Sequence, residues 1–410
     1  MRQRLLITLA ALMVVLLATP APTPTPVTAQ DDGGWSLYML DADQRQLIAV
    51  DQRGNATPRP LPVGDNTFVG PGDLAISPAG DRVAFTAFTY NTDGTATQTL
   101  TVQDLTTDAL LFARDFADIE DFRASAFDPA GERVVLGVVN QLFVGQADAG
   151  DGPLWSLLVL DAQSGDTLAR LDSNAAAVEA LPDRLPDIAY MPLAVDFSGD
   201  TLAITQVPWI GAGIDETFGF EWDISAGDEA VTDAPRFASS ILTRNTATGE
   251  IAQIMLDTEA PTAAANMPML PFNAVEIVRD GARRVVFRSA ESIVLDVRFI
   301  ANGERLAIQL LQGDRSSQRT KWVVLDRDGT IRDLTTFAEN VFTEIRPAPN
   351  GFVTLTTTYP PGFTDPPEVL LTYGGDGQPV TLWEGSGDYY SIVWTAPHPD
   401  DGFAPFAAAE

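Results

Sequence analysis

The chain has 410 residues, 45% of them hydrophobic and 20% charged, with 29 prolines, 32 glycines and no cysteine. Ordinary apolar content excludes global disorder, and the lack of cysteine excludes a disulfide framework, a thiolate metal site and a thiol nucleophile. A net charge of −31, from 25 Lys plus Arg against 56 Asp plus Glu, disfavours nucleic acid and anionic lipid as partners, because both polyanions need a basic face.

At the N-terminus, Arg2 and Arg4 precede an apolar run from Leu5 to Leu17, followed by Pro/Thr-rich sequence and a small-x-small site at Val27-Thr28-Ala29. This order is that of a secretory signal peptide over residues 1–29, and it predicts a secreted or bacterial-envelope location. The apolar run is too short to span a ~30 Å hydrocarbon core comfortably. Left uncleaved, it would be the chain's one membrane contact, with Thr19 to Pro26 as a stiff polyproline spacer. No later segment reaches eighteen consecutive apolar residues. Residues 30–410 are expected to form a single domain, with insertions near 207–237 and 257–291.

Two hairpin types recur along this domain. The first is a short apolar strand, a turn with glycine, and a second apolar strand. It occurs as Asp73-Leu-Ala-Ile-Ser-Pro-Ala-Gly80-Asp-Arg-Val-Ala-Phe85 and as Ala126-Phe-Asp-Pro-Ala-Gly131-Glu-Arg-Val-Val-Leu136. Copies follow around Gly199, Gly303 and Gly351, and a decayed one around Gly402. Glycine suits this turn because the chain must reverse with φ > 0. The second type carries a polar turn, as in Leu157-Leu-Val-Leu-Asp161-Ala-Gln-Ser-Gly165 and Ile241-Leu-Thr-Arg-Asn245-Thr-Ala-Thr-Gly249.

Second-type hairpins near 36–50, 98–113, 155–171, 239–256, 320–336 and 368–383 alternate with first-type ones near 73–87, 124–138, 193–206, 297–310, 344–356 and 391–406. Paired in order, they predict an all-β, six-bladed β-propeller whose last blade is closed by N- and C-terminal strands. The near-continuous apolar runs, such as Leu157 to Leu160, favour blades covered on both faces over a two-layer sandwich. One hairpin, Val275 to Phe287, is left over, either as an insertion or as the mark of a seventh blade.

Ser77-Pro-Ala-Gly80-Asp-Arg-Val-Ala-Phe85 and Asp128-Pro-Ala-Gly131-Glu-Arg-Val-Val-Leu136 resemble the WD40-like repeat of TolB-type propellers. The same repeat occurs in the propellers that precede prolyl-oligopeptidase-type hydrolase domains. The resemblance covers most of the chain after residue 29 and implies a scaffold, not a chemistry. Neither a recurring Gly-His/Trp-Asp pair nor a Gly-x-Ser-x-Gly elbow occurs.

The longest stretch outside the repeats, Val207 to Phe237, holds Trp209, Phe218, Phe220 and Trp222 among Asp215, Glu216, Glu221 and Asp223. Aromatic rings beside carboxylates on a long loop suit a sugar, a cation or a basic peptide; the same rings equally suit packing onto the propeller. Asp326-Arg-Asp328-Gly329 has the look of a calcium turn, but no complete calcium loop exists, and an ordinary hairpin turn accounts for it. The only histidine, His398, lies between prolines and is read as a turn residue. Arg123, Arg298 and Arg346 fall near inner-strand positions, either lining the central channel toward an anion or pairing with carboxylates between blades.

The expectation is therefore a non-enzymatic, monomeric binding scaffold for a protein or glycan, without cofactor. A carboxylate-based glycosidase or metal-dependent lactonase working in the central funnel is the first alternative, and a TolB-like envelope assembly component the second.

Overall fold

Two local hydrogen-bond patterns make the two hairpin turns. In the first, a side-chain oxygen at the end of one strand accepts the amides that begin the next. Ser77 Oγ takes Asp81 and Arg82 at 3.2 and 3.0 Å, and Asp128 Oδ1 takes Glu132 and Arg133 at 2.8 and 2.9 Å. Gly80 reverses this turn at φ 71°, and a Cβ there would stand 2.7 Å from the Trp394 ring, so conformation and close approach both require glycine. In the second, Asp161 Oδ1 accepts Gln163 and Ser164 at 2.9 and 2.7 Å, and Asn245 Oδ1 accepts Ala247 and Thr248 at 3.0 Å each.

The computed structural model describes residues 34–64, 67–70, 74–90, 96–116, 121–139, 152–181, 190–208, 218–227, 230–234, 242–257, 272–313, 319–362, 365–375, 379–387, 390–397 and 400–409. The expected signal peptide, residues 1–29, lies outside them, as does His398. Among the described residues no helix is long and apolar enough to cross a membrane.

Seven antiparallel sheets follow one another along the chain. Blade one holds β1 (Ser36–Asp41), β2 (Gln46–Asp51) and β3 (Ala56–Pro60), with β29 (Tyr390–Thr395) as its innermost strand. In blade two, β4 (Thr67–Phe68) and β5 (Leu74–Ile76) both pair with β6 (Arg82–Tyr90), followed by β7 (Ala96–Asp104) and β8 (Leu110–Phe116). Blade three is β9 (Asp121–Phe127), β10 (Arg133–Val139), β11 (Trp155–Asp161) and β12 (Thr167–Asp172). Blade four is β13 (Tyr190–Ser198), β14 (Thr201–Pro208), β15 (Phe218–Asp223) and β16 (Val231–Ala234). Blade five is β17 (Leu242–Arg244), β18 (Ile251–Met255), β19 (Ala274–Arg279) and β20 (Ala282–Arg288). Blade six is β21 (Ile293–Ile300), β22 (Arg305–Gln312), β23 (Arg319–Asp326) and β24 (Ile331–Asp333). Blade seven is β25 (Val341–Ala348), β26 (Gly351–Thr358), β27 (Glu368–Gly374) and β28 (Val380–Ser386).

The propeller thus has seven blades, which corrects the expected six. The stretch 207–237 carries β15 and β16, the outer strands of blade four. The hairpin at Asn245 is not an outer pair but the inner pair of blade five, and Val275 to Phe287 supplies that blade's outer pair. N- and C-terminal strands close one blade together, as expected, although the C-terminus contributes one inner strand and not a hairpin. Beyond β29, the segment around Gly402 is irregular and docks Phe406 in the core between blades five and six.

Apolar strands run almost without interruption because each blade is covered on both faces. In β1, Leu37 and Met39 pack against Val353 and Leu355 of blade seven, while Tyr38 and Leu40 pack against Val83 and Phe85 of blade two. In β10, Val134 and Leu136 face blade two and Val135 faces blade four. The two-residue strand period divides consecutive side chains between the two neighbours, so these inner strands have no solvent face to spend on polar residues, whereas outermost strands such as β24 are exposed.

Arginines fasten the blades from outside this core. Arg82 donates to Gly131 O at 2.6 Å, and Arg133 to Gly199 O at 2.9 Å and to Asp200 Oδ1 at 2.8 Å. Each reaches from the start of one blade's second strand to the glycine turn of the next. A planar guanidinium can serve a carbonyl and a carboxylate at once, which a lysine ammonium on a flexible stem does less well.

Candidate functional site

The innermost strands of all seven blades converge on a cavity of about 630 Å³. Leu74, Ser125, Ala194, Thr243, Arg298, Arg346 and Trp394 line it, one from each blade. Two guanidiniums in this position stand out in a chain of net charge −31.

Repeat register places them. Arg298 pairs across the inner hairpin with Ala307, and Arg346 occupies the matching position opposite Val353 on the next blade. Each is held by the carboxylate two residues earlier, which the strand period puts on the same face. Arg298 Nε and Nη2 both donate to Asp296 Oδ2 at 2.9 Å. Arg346 Nε donates to Glu344 Oε1 at 2.8 Å. The other oxygen of Glu344 accepts Ser391 Oγ at 3.0 Å and the Ile392 amide at 3.1 Å, which ties blade seven to β29.

The carboxylates occupy the Nε sides of the two guanidiniums. Among the described residues, Nη1 of Arg298 and both Nη groups of Arg346 donate no hydrogen bond. Asp296 Oδ1 is buried with no hydrogen-bond partner among those residues. Burial pushes the Asp296 carboxyl above the usual range, against the opposing pull of Arg298. Desolvation likewise pushes Asp196 up, although its side chain reaches solvent.

Arg298 and Arg346 thus line the channel, and each pairs with a carboxylate on its own strand and not, as the alternative expectation had it, between blades. The side chain of Arg123 lies outside the described residues.

The aromatic loop sits differently. Trp209, Asp215 and Glu216 lie outside the described residues. Phe218, Phe220 and Trp222 are buried between blades three and four, with Tyr190 edge-on to Phe218 at 4.7 Å. Trp222 Nε1 donates to Gly227 O at 2.9 Å, which completes its burial. These three rings belong to the core, out of a ligand's reach. Glu221, on the same strand, faces solvent. Asp223 accepts the Ser225 amide and hydroxyl at 3.0 and 2.7 Å, a turn-forming role. The alternation Phe-x-Phe-x-Trp is the signal for this, since its period of two is that of a strand.

Asp328 likewise serves a turn, accepting the Thr330 amide at 2.9 Å, while Asp326 pairs with Arg305 and Arg332 at 3.0 and 2.8 Å. Among the described residues no group of three or more His, Asp or Glu is placed to hold a metal ion.

No protein-family model matches this chain, and no curated protein matches it. Solved structures do. A prolyl endopeptidase from a study of inter-domain dynamics in catalysis and specificity aligns at TM-score 0.52 and 10% identity, over 87% of this chain and 50% of that one. Prolyl oligopeptidase B from Galerina marginata, bound to a macrocyclization substrate, aligns at TM-score 0.52 and 12% identity, over 88% of this chain and 51% of that one. TolB from Acinetobacter baumannii aligns at TM-score 0.37 and 16% identity, over 74% of this chain and 64% of that one. The chain therefore spans about half the length of the peptidase structures it matches. At these identities the likeness concerns the fold, and the class is defined at that level: a seven-bladed β-propeller similar to peptidase propeller domains.

Proposed function

We propose that this protein is a secreted or envelope-tethered, non-enzymatic binding propeller that receives its partner at the axial channel. The observation that carries the reading is the cavity of about 630 Å³ lined from all seven inner strands, with two guanidiniums already oriented at its wall. Its size is that of ordinary ligand pockets, roughly 300–1,000 Å³. A stiff ring suits recognition because its wall groups are positioned before the partner arrives, so little ordering remains to be done on binding. The N-terminal Arg2, Arg4 and apolar run support the location.

The test is capture from the producing organism's envelope and medium by the immobilised protein, beside a variant whose channel is filled by Ser125→Trp. Circular dichroism first establishes that the variant folds. Partners retained by the native chain and lost by the filled one support the channel as the site. The same partners at the same yield on both would overturn it.

A further inference from the structure

We infer that the channel recognises a carboxylate, presented by a polypeptide as an acidic side chain or chain end, through the free Nη edges of Arg298 and Arg346. The inference rests on the channel-binding reading and names its ligand chemistry.

The geometry is that of two guanidiniums held from behind. Asp296 and Glu344 fix the Nε sides, and Glu344 is itself pinned by Ser391 and the Ile392 amide. Side-chain accessibilities of 26% for Arg298 and 40% for Arg346 leave their outer nitrogens within reach of a ligand. A guanidinium edge presents two parallel N–H groups, which match the two oxygens of a carboxylate. Their orientation is set in the free protein, so less side-chain freedom is lost on binding.

Charge distinguishes among oxyanions. The two arginines and their two carboxylates cancel, in a chain of net charge −31. A phosphate dianion would bring two charges to one point beside Asp296 and Glu344, whereas each planar carboxylate group brings only one. The rest of the wall favours a peptide over a sugar. Leu74, Pro347 and Val393, each half-buried at the wall, offer apolar surface to a peptide's aliphatic parts. The Trp394 ring, the natural stacking platform for a sugar, is packed against Tyr38 and Gly80.

Calorimetric titration of the whole chain with glutarate tests this, beside neutral glutaramide, inorganic phosphate and glucuronate. Saturable binding of glutarate is expected, with none of glutaramide and weaker binding of phosphate and glucuronate. Arg346→Gln should weaken glutarate by about tenfold or more, as loss of a charge-assisted fork does, and Arg53→Gln on the outer surface should not. Because Arg298→Gln alone strands the buried Asp296, it is tested with Asp296→Asn, and the double variant should lose glutarate as well. Equal binding of glutaramide, tighter binding of phosphate or glucuronate, or glutarate affinity unchanged in both arginine variants would overturn the inference. If Ser125→Trp abolishes partner capture while glutarate never binds, the carboxylate inference falls and the channel reading stands. If glutarate depends on the arginines but capture ignores the filled channel, the reverse holds.

Discussion

The hydroxyl of Tyr390 donates to Asp41 Oδ2 at 3.2 Å, joining residues 349 positions apart where β29 meets β1. Asp41 also accepts the Gln44 amide and Gln46 Nε2 at 3.0 and 3.1 Å, so one buried carboxylate anchors both the first hairpin turn and the strand that closes the ring.

Tyr390→Phe should lower stability by about 1 kcal/mol, the usual net worth of one hydrogen bond. Asp41→Ala should cost more, because it removes the acceptor of all three donors. Desolvation, with the neighbouring Asp41 carboxylate, pushes the Tyr390 phenol from 10.0 up to about 12. A pKa raised on folding contributes stability that is complete below the unfolded value and lost as pH rises to the folded one. Native Tyr390 should therefore add an unfolding tendency between pH about 10 and about 12 that Tyr390→Phe lacks, which alkaline denaturation curves of the two proteins would resolve.

Trp222→Ala should cost about 3–5 kcal/mol in urea unfolding, since it empties a fully buried site between blades three and four. Glu221→Ala, one residue away but facing solvent, should stay within about 0.5 kcal/mol. Comparable losses at both positions would contradict the strand alternation.

Arg327 and Glu250 form an ion pair at 2.8 Å with side-chain accessibilities of 9% and 1%. Arg327 also donates to Gly303 O at 2.7 Å and Ala404 O at 2.6 Å, and its guanidinium lies 4.3 Å from the Phe406 ring centroid. Glu250→Ala should cost about 3–5 kcal/mol by stranding a buried charge. Arg327→Ala should cost at least as much, because it also frees the C-terminal segment. A double-mutant cycle would show the two losses far from additive.

Asp196 and Asp161 should respond to acid in opposite directions. Desolvation raises Asp196, so its charged form weakens the fold at neutral pH, and Asp196→Asn should raise the melting temperature at pH 7 but not near pH 3. Amide hydrogen bonds from Ser164 and Gln163 lower Asp161, so its contribution is present above the unfolded pKa and lost as pH falls through the folded one. Asp161→Asn should be destabilising at pH 7 and progressively less so below pH about 4. Melting curves across this range would show the two trends crossing.

Much of this architecture is legible in the residues. The glycine turns at Gly80 and Gly131 and the unbroken apolar run at Leu157 to Leu160 announce stacked blades, and the turns fold as expected. Asn245 is where the sequence hides the blade count. Its side chain caps the following amides as Asp161 does, so inner and outer hairpins look alike in the chain although they occupy different rungs of a blade. An inner strand of three residues, Leu242–Arg244, offered too little pattern to correct this. For the site, Asp-x-Arg at 296–298 and Glu-x-Arg at 344–346 are visible as strand-period pairs. That they face one axis follows only once seven sheets surround it, a long-range fact that no local pattern encodes.

The single C-terminal strand of blade one imposes an order on biosynthesis. Until residue 395 has left the ribosome, β1 carries an unpaired edge and six further sheets have nothing to complete the circle. Such an edge is a template for pairing with another nascent chain, so the interval before the last strand arrives is the time at which this protein is most exposed to misassembly.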